Sequence, residues 1–498
     1  MNVNPITRLD YPDPDVIRVE DTYYMVSTTM HFMPGCEILQ SFDLVNWEHV
    51  TYVYETLDHT DAQQLKSGQN IYGQGMWAAS LRYHEGRFCI CFVANDTRKT
   101  YLYTSEKIDG PWKKQLIEGF YHDGSLLFDE DGRNYIVYGN DEIWITELNE
   151  DLTAPKKDGL HRLLVSDHKN PKLGYEGSHI QKINGYYYIF LIHSLRDRWM
   201  RTEACFYSDS LEGEFTGGDV LCDDRGYCGQ GVAQGGIVDT PDGKWYAMLF
   251  QDSGAVGRIP ILLPVTWKDH FPFFGQNGHV PEEIEVHSTR PGYIYQPLVG
   301  SDDFCNGLLP RWQFNHDPDP RYYHLDALQG TYTITTREVC TELTQAVNTL
   351  TQRMSYPSCA AEVTVDASAL KEGDVAGLCA LQSCYAAVGI TKHHGKYEVL
   401  MLDKKEDGIL DMTDGTVVES HQMDFRLEAD FCNMKDEARC YYRVNKGDWL
   451  PIGTVHKLYF KLDHFTGCRF GLFCYAAEET GGSACFRDFK YYDVDEIS

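Results

Sequence analysis

At 498 residues the chain is long enough for two or more domains, each with its own core, and too long for a single one. Its formal net charge of -30 argues against nucleic acid and anionic membrane surfaces as partners and suits a neutral substrate. No apolar run approaches the roughly 20 residues that cross a bilayer. Nothing from Met1 to Asp15 has the basic-then-apolar order of a signal peptide, so the expected location is the cytoplasm. The 16 cysteines are scattered, many inside apolar runs such as FCICFVA, and read as buried, reduced thiols rather than a zinc site or a disulfide scaffold.

The first half repeats one pattern five times: a turn with Gly, Asp or Asn, then a run rich in Tyr, Phe, Ile and Val. In chain order these are EDTYYMVSTT, EGRFCICFVA, DGRNYIVYGN, NGYYYIFLIH and DGKWYAMLFQD. Their spacing, roughly 45 to 65 residues, is the scale of a four-stranded propeller blade. Serine, a short spacer and an aromatic recur between them, as in SFDLVNW, SEKIDGPW and SDSLEGEF. Helical periodicity is almost absent, so the expectation is an all-β fold, a five-bladed β-propeller over residues 1–297. Beyond RPGYIYQPLVGSDDF no further copy follows. Short alternating runs such as TYTITT and CAAEVTVD then predict a β-sandwich, concanavalin-like or jelly-roll-like, over residues 298–498.

Candidate site residues fall at the blade openings. Asp13 comes first, in YPDPDVIRVEDTYYMVSTT, where Pro14 is expected to hold it extended on a stiff strand entry. Phe32 in TTMHFMPG and Trp77 in GQGMWAASLRY are aromatics suited to stacking on the apolar face of a sugar. Asp123 in YHDGSLLFDEDG and Glu176 in GYEGSHIQKINGYYYIF precede the third and fourth repeats much as Asp13 precedes the first. Arg258, after the Gly-rich turn of GAVGRIPILLPVTW, offers guanidinium donors to sugar hydroxyls or a salt bridge at the domain junction. A propeller brings such positions together at one end of its axis, and two facing carboxyl groups are what glycoside hydrolysis commonly needs. No metal motif accompanies them: HExxH is absent and the 19 histidines show no metal-ligand spacing.

These motifs, taken with SDDFCNGLLPRWQFNHDPD and NTLTQR in the second half, resemble glycoside hydrolase family 43 over essentially the whole chain. The resemblance implies an exo-acting, inverting hydrolase that releases terminal α-L-arabinofuranose or β-D-xylose from hemicellulose oligosaccharides. Asp13 matches its general base, Glu176 its general acid, Asp123 the residue that positions the acid and tunes its pKa, and Arg258 its substrate-binding arginine. It implies no required cofactor. Two departures stand out. Gly124 follows Asp123 where many members have proline, and Gln234 stands where many carry a histidine associated with a central ion, which puts a structural calcium in question. The implied partner is a small oligosaccharide, with a homo-oligomer possible. The rival readings are a non-catalytic carbohydrate-binding propeller and a fructan-cleaving propeller hydrolase, whose expected Arg-Asp-Pro motif is here only RDRW.

Overall fold

A computed structural model describes residues 2–413 and 415–493; residues 1, 414 and 494–498, which include the outer ends of both expected domains, lie outside the described residues. The first half forms five four-stranded antiparallel sheets, one after another along the chain. The five aromatic-rich runs are the second strands of successive blades: Thr22–Val26, Arg87–Ala94, Asn134–Asn140, Tyr186–Ser194 and Trp245–Asp252. Such strands lie inside a blade and pack on its neighbours, so apolar residues serve both faces; residues 88–94 are buried without a break. The serine-spacer-aromatic segments are turns from third to fourth strand. In the first, Ser41 Oγ and Asp43 Oδ1 accept the amides of Leu44 and Val45, and the Trp47 ring NH donates to the Leu44 carbonyl.

The first strands of the blades are Asp15–Val19, Met76–His84, Ser125–Phe128, Glu176–Ile183 and Ala233–Asp239. They touch one another in a closed cycle and form the axis. Each carries a left-handed residue at the mouth end: Asp13 (φ 53°), Gly75 (φ 81°), Asp123 (φ 47°), Gly177 (φ 65°) and Gln234 (φ 59°). Asp13 is therefore not extended as expected. Pro14 does bar the right-handed helical well to it, but the alternative taken is the left-handed one, which aspartate tolerates better than most residues. The ring closes through backbone and side chains together: Asn2–Val3 pairs with Glu283–Ile284, the Tyr11 amide donates to the Arg258 carbonyl at 3.0 Å, and Leu9, Tyr11 and Val16 share a core with Val238, Tyr246 and Leu262. The Asn4 amide ties the entering chain to both Leu262 and Pro281.

From Gln313 to Asp493 the chain builds two facing antiparallel sheets of nine and seven strands. The nine-stranded sheet is completed by a propeller segment, Phe32–Met33, paired with Gln313–Asn315. This corrects the expectation for Phe32. It is fully buried in the seam, with the Arg469 guanidinium 3.5 Å above its ring, among Leu343, Tyr385 and Phe473. The opening MHFMPG is aromatic because it joins a second core, not because it faces a ligand.

Polar groups also cross this seam. Glu37 of the propeller pairs with Arg353 of the sandwich at 2.8 Å, both buried. Although burial alone would raise it, Arg353 and His49 bring Glu37 down to about 2. Beside them, His31 and Tyr72 of the propeller interleave with His316 and His464 of the sandwich, ring centres 4.6–5.2 Å apart. Burial holds all three imidazoles below their ordinary range, and neither ring nitrogen of His31 or His464 has a hydrogen-bond partner. Among the described residues no helix is long and apolar enough to cross a membrane.

Candidate active site

The mouth of the axis opens into a cavity of about 850 Å³ whose far wall is the sandwich. Asp13, Trp77, Asp123, Glu176 and Arg258, one from each blade, all line it; Phe32 does not. Each is set by its strand start. The left-handed turn at Asp13 aims its carboxylate so that Oδ1 accepts from Arg258 Nη1 (2.9 Å) and Oδ2 from Thr28 Oγ1 (2.6 Å). Arg258 is buried, with its guanidinium 4.3 Å from the ring of Phe465, a sandwich residue. Arg258 thus lines the cavity, and its firmest contact is the ion pair with Asp13.

Asp123 is buried, and its Oδ2 accepts the Gly177 amide (3.1 Å), which fixes the backbone next to Glu176. Gly177 is required there, because a Cβ would stand 2.7 Å from the Gln234 side chain. The departure from proline at Gly124 also has a steric reason: a Cβ there would lie 2.9 Å from Ile136 Cδ1 and 3.0 Å from the Tyr121 carbonyl. Glu176 is partly exposed and accepts from Asn140 Nδ2 at 2.7 Å.

Between the two acids stands His122, its Nε2 3.5 Å from Asp123 Oδ2 and 3.5 Å from Glu176 Oε2. The three groups bring polar atoms within 4.8 Å of one another. Burial, with Glu176 and Asp13 adding to it against the pull of His122, raises Asp123 to about 6. Burial would lower His122, but Asp123, Glu176 and Asp13 raise it to about 9. The cluster therefore retains protons at mildly acidic pH values where isolated carboxyl groups have lost them, which is a condition for proton donation.

Deeper on the axis lies a fixed charge pair. Asp15, fully buried, accepts from the Leu81 amide, from Arg82 Nη1 (2.8 Å) and from a position 3.0 Å away at His179 Nδ1. Arg82 also reaches Ser125 Oγ and the carbonyls of Leu126 and Ile180. A guanidinium thus already balances the axial carboxylate. Gln234 directs its side chain against Gly177 at the cavity.

Several lining residues were not singled out in the sequence. Asn140 ends the third repeat, a position that carried a usable signal. His122 adjoins a candidate acid, and Trp199 sits in an irregular loop. Phe465 and Asp436 come from the sandwich and had no sequence cue.

Carboxyl groups gathered at the mouth of a five-bladed propeller, one paired with arginine and two flanking a histidine, define a glycoside hydrolase. Comparison with known proteins gives the same class and narrows it. Residues 3–272 match the model of glycosyl hydrolases family 43, and residues 301–492 that of the beta xylosidase C-terminal concanavalin A-like domain. The chain belongs to glycoside hydrolase family 43. It is 26% identical to a beta-xylosidase of Formosa agariphila over 99% of this chain and 89% of that one. To a non-reducing end alpha-L-arabinofuranosidase of Bacteroides ovatus it is 23% identical, over 82% of this chain and 79% of the relative. A solved structure described as a bifunctional GH43-CE of Bacteroides eggerthii superposes with a TM-score of 0.93 at 42% identity; it covers all of this chain, which spans 64% of that longer one.

Proposed function

We propose that the protein is an exo-acting, inverting hydrolase that removes terminal α-L-arabinofuranose or β-D-xylose from hemicellulose oligosaccharides. The observation that carries this reading is the convergence of Asp13, Asp123, Glu176 and Arg258 on one cavity closed on its far side by the second domain. In the proposed step Asp13, ionised against Arg258, takes a proton from a water aimed at the anomeric carbon. Glu176, protonated, donates to the departing oxygen from the other side. Asp123 holds the turn that orients Glu176. The kinship with xylosidases and arabinofuranosidases supports a pentose in the terminal position, and a walled cavity supports removal from chain ends.

Wild type, Asp13→Asn and Glu176→Gln should be compared on aryl β-D-xylopyranoside, aryl α-L-arabinofuranoside and xylobiose. Wild type is expected to release a pentose, whose anomeric configuration seen by NMR before mutarotation is inverted. Asp13→Asn should lose activity on every substrate, and Glu176→Gln roughly a thousandfold on xylobiose but far less on an aryl glycoside with a good leaving group. Equal loss on both substrate types in Glu176→Gln would remove it as the acid.

A further inference from the structure

His122 has no part in the step as written, yet it occupies the most charged point of the cavity. Its Nε2 is buried, without a hydrogen-bond partner of proper geometry, and equidistant at 3.5 Å from the two carboxyl groups. The ring is held by Trp77, 5.9 Å between centres, which in turn packs on Phe465 at 5.6 Å. Charged groups face it from three sides: Asp123 beside it, Glu176 on the fourth blade, and Asp13 on the first, backed by Arg258 of the fifth. Trp77 of the second blade and Phe465 of the sandwich bring no charge. The other ionic side chains of the cavity are Lys172, Arg201, Asp252, Asp436, Lys457 and Lys461.

We propose that His122 is a positioning residue for the acid step: its imidazolium, placed between Asp123 and Glu176, sets the pH at which this carboxyl pair gives up its last proton. Asp123 alone would make the pair reluctant to ionise fully, since two like charges would sit side by side. A cation 3.5 Å from both opposes that effect. It makes the shared proton easier to transfer, and it confines the protonated, active form to mildly acidic solution. His122 stays charged while the carboxyl pair titrates, because the same two carboxylates hold its own proton. The inference rests on the hydrolase reading of the site and adds to it the residue that fixes its working pH.

The test is the alkaline limb of the kcat/KM profile on aryl pentosides. In His122→Asn and His122→Phe, which remove the cation, the limb should move to higher pH by one unit or more, and in His122→Lys it should lie near wild type. A limb that stays in place in both neutral variants overturns the proposal, because a purely structural histidine would lower rates without moving it. The second measurement needs no substrate. In protein labelled on histidine, the imidazole resonance missing from His122→Asn should titrate near 9 in wild type and at least one unit lower in Glu176→Gln. A midpoint near 6.5 that ignores Glu176→Gln overturns the proposal even if no pentoside is cleaved. Inactivity of wild type on every pentoside, with the raised midpoint intact, would instead count against the hydrolase reading alone.

Discussion

Trp199 lines the cavity with 45% of its surface exposed, and so does Leu462 of the sandwich at 70%. Large apolar side chains left open beside a polar cleft mark a place where something else covers them. The cavity is also larger than one pentose requires, so these two side chains suit the ring next to the bond that breaks. Trp199→Ala is expected to raise KM for xylobiose about five- to tenfold, the loss of one stacking contact. Inhibition by free xylose, which needs only the terminal position, should not change. Initial-rate kinetics with and without xylose decide it; a parallel loss of both would place Trp199 at the terminal sugar instead. Single residues were legible in the sequence only when the repeat framed them. Asp13, Asp123 and Glu176 recur at equivalent strand starts, so their convergence was foreseeable. His122 has no periodic cue, and Phe32 carried the cue of a ligand-facing aromatic while serving another core.

At the scale of elements, two loops from different domains meet behind the base. One runs through Gly254–Val256 into Arg258, and the other through Phe465 to Gly467. Asp10 staples them: Oδ1 accepts the Arg258 amide at 2.7 Å, Oδ2 the Gly467 amide at 2.8 Å, and its carbonyl the Arg353 Nε at 2.9 Å. Asp436 adds a grip from the sandwich by accepting the Ala255 amide. Asp10→Asn keeps the shape but turns one acceptor into a donor facing a buried N–H, at a cost of about 2 kcal/mol. It should lower Tm by about 2 °C in a chain of this length and reduce kcat more than it alters KM, because Arg258 and hence Asp13 lose their fixed aim. A normal kcat in a destabilised variant would confine Asp10 to folding. Strands and turns were the most legible level, since burial on both faces and turn chemistry act within a few neighbouring residues. Contacts such as Asp10 with Gly467 were not, because nothing local distinguishes an aspartate that will meet a glycine from the far end of the chain.

The molecule as a whole is held together by groups that acid would charge. Unfolded histidine takes up a proton near 6.5, whereas buried His464 does so only at about 3. Below 6.5 the unfolded chain therefore binds more protons than the folded one, and stability falls as pH falls, by about 1.4 kcal/mol per pH unit for each such histidine. Glu37 acts in the same direction lower down: its stabilisation is full above 4.5 and is lost as pH drops toward about 2. Calorimetry from pH 7 to 4 should show one transition for both domains, with Tm falling ever more steeply below 6.5. His464→Phe should flatten the slope, and two separate peaks would contradict a shared seam. The shared seam also reaches beyond this one chain. The edge strand Phe32–Met33 that completes the sandwich is encoded in the first blade. A chimera cut near residue 300 would separate a sheet from one of its own strands. Shuffling of parts among relatives, by evolution or by engineering, has to move the 30–36 segment with the sandwich that receives it, and the heritable unit is the pair.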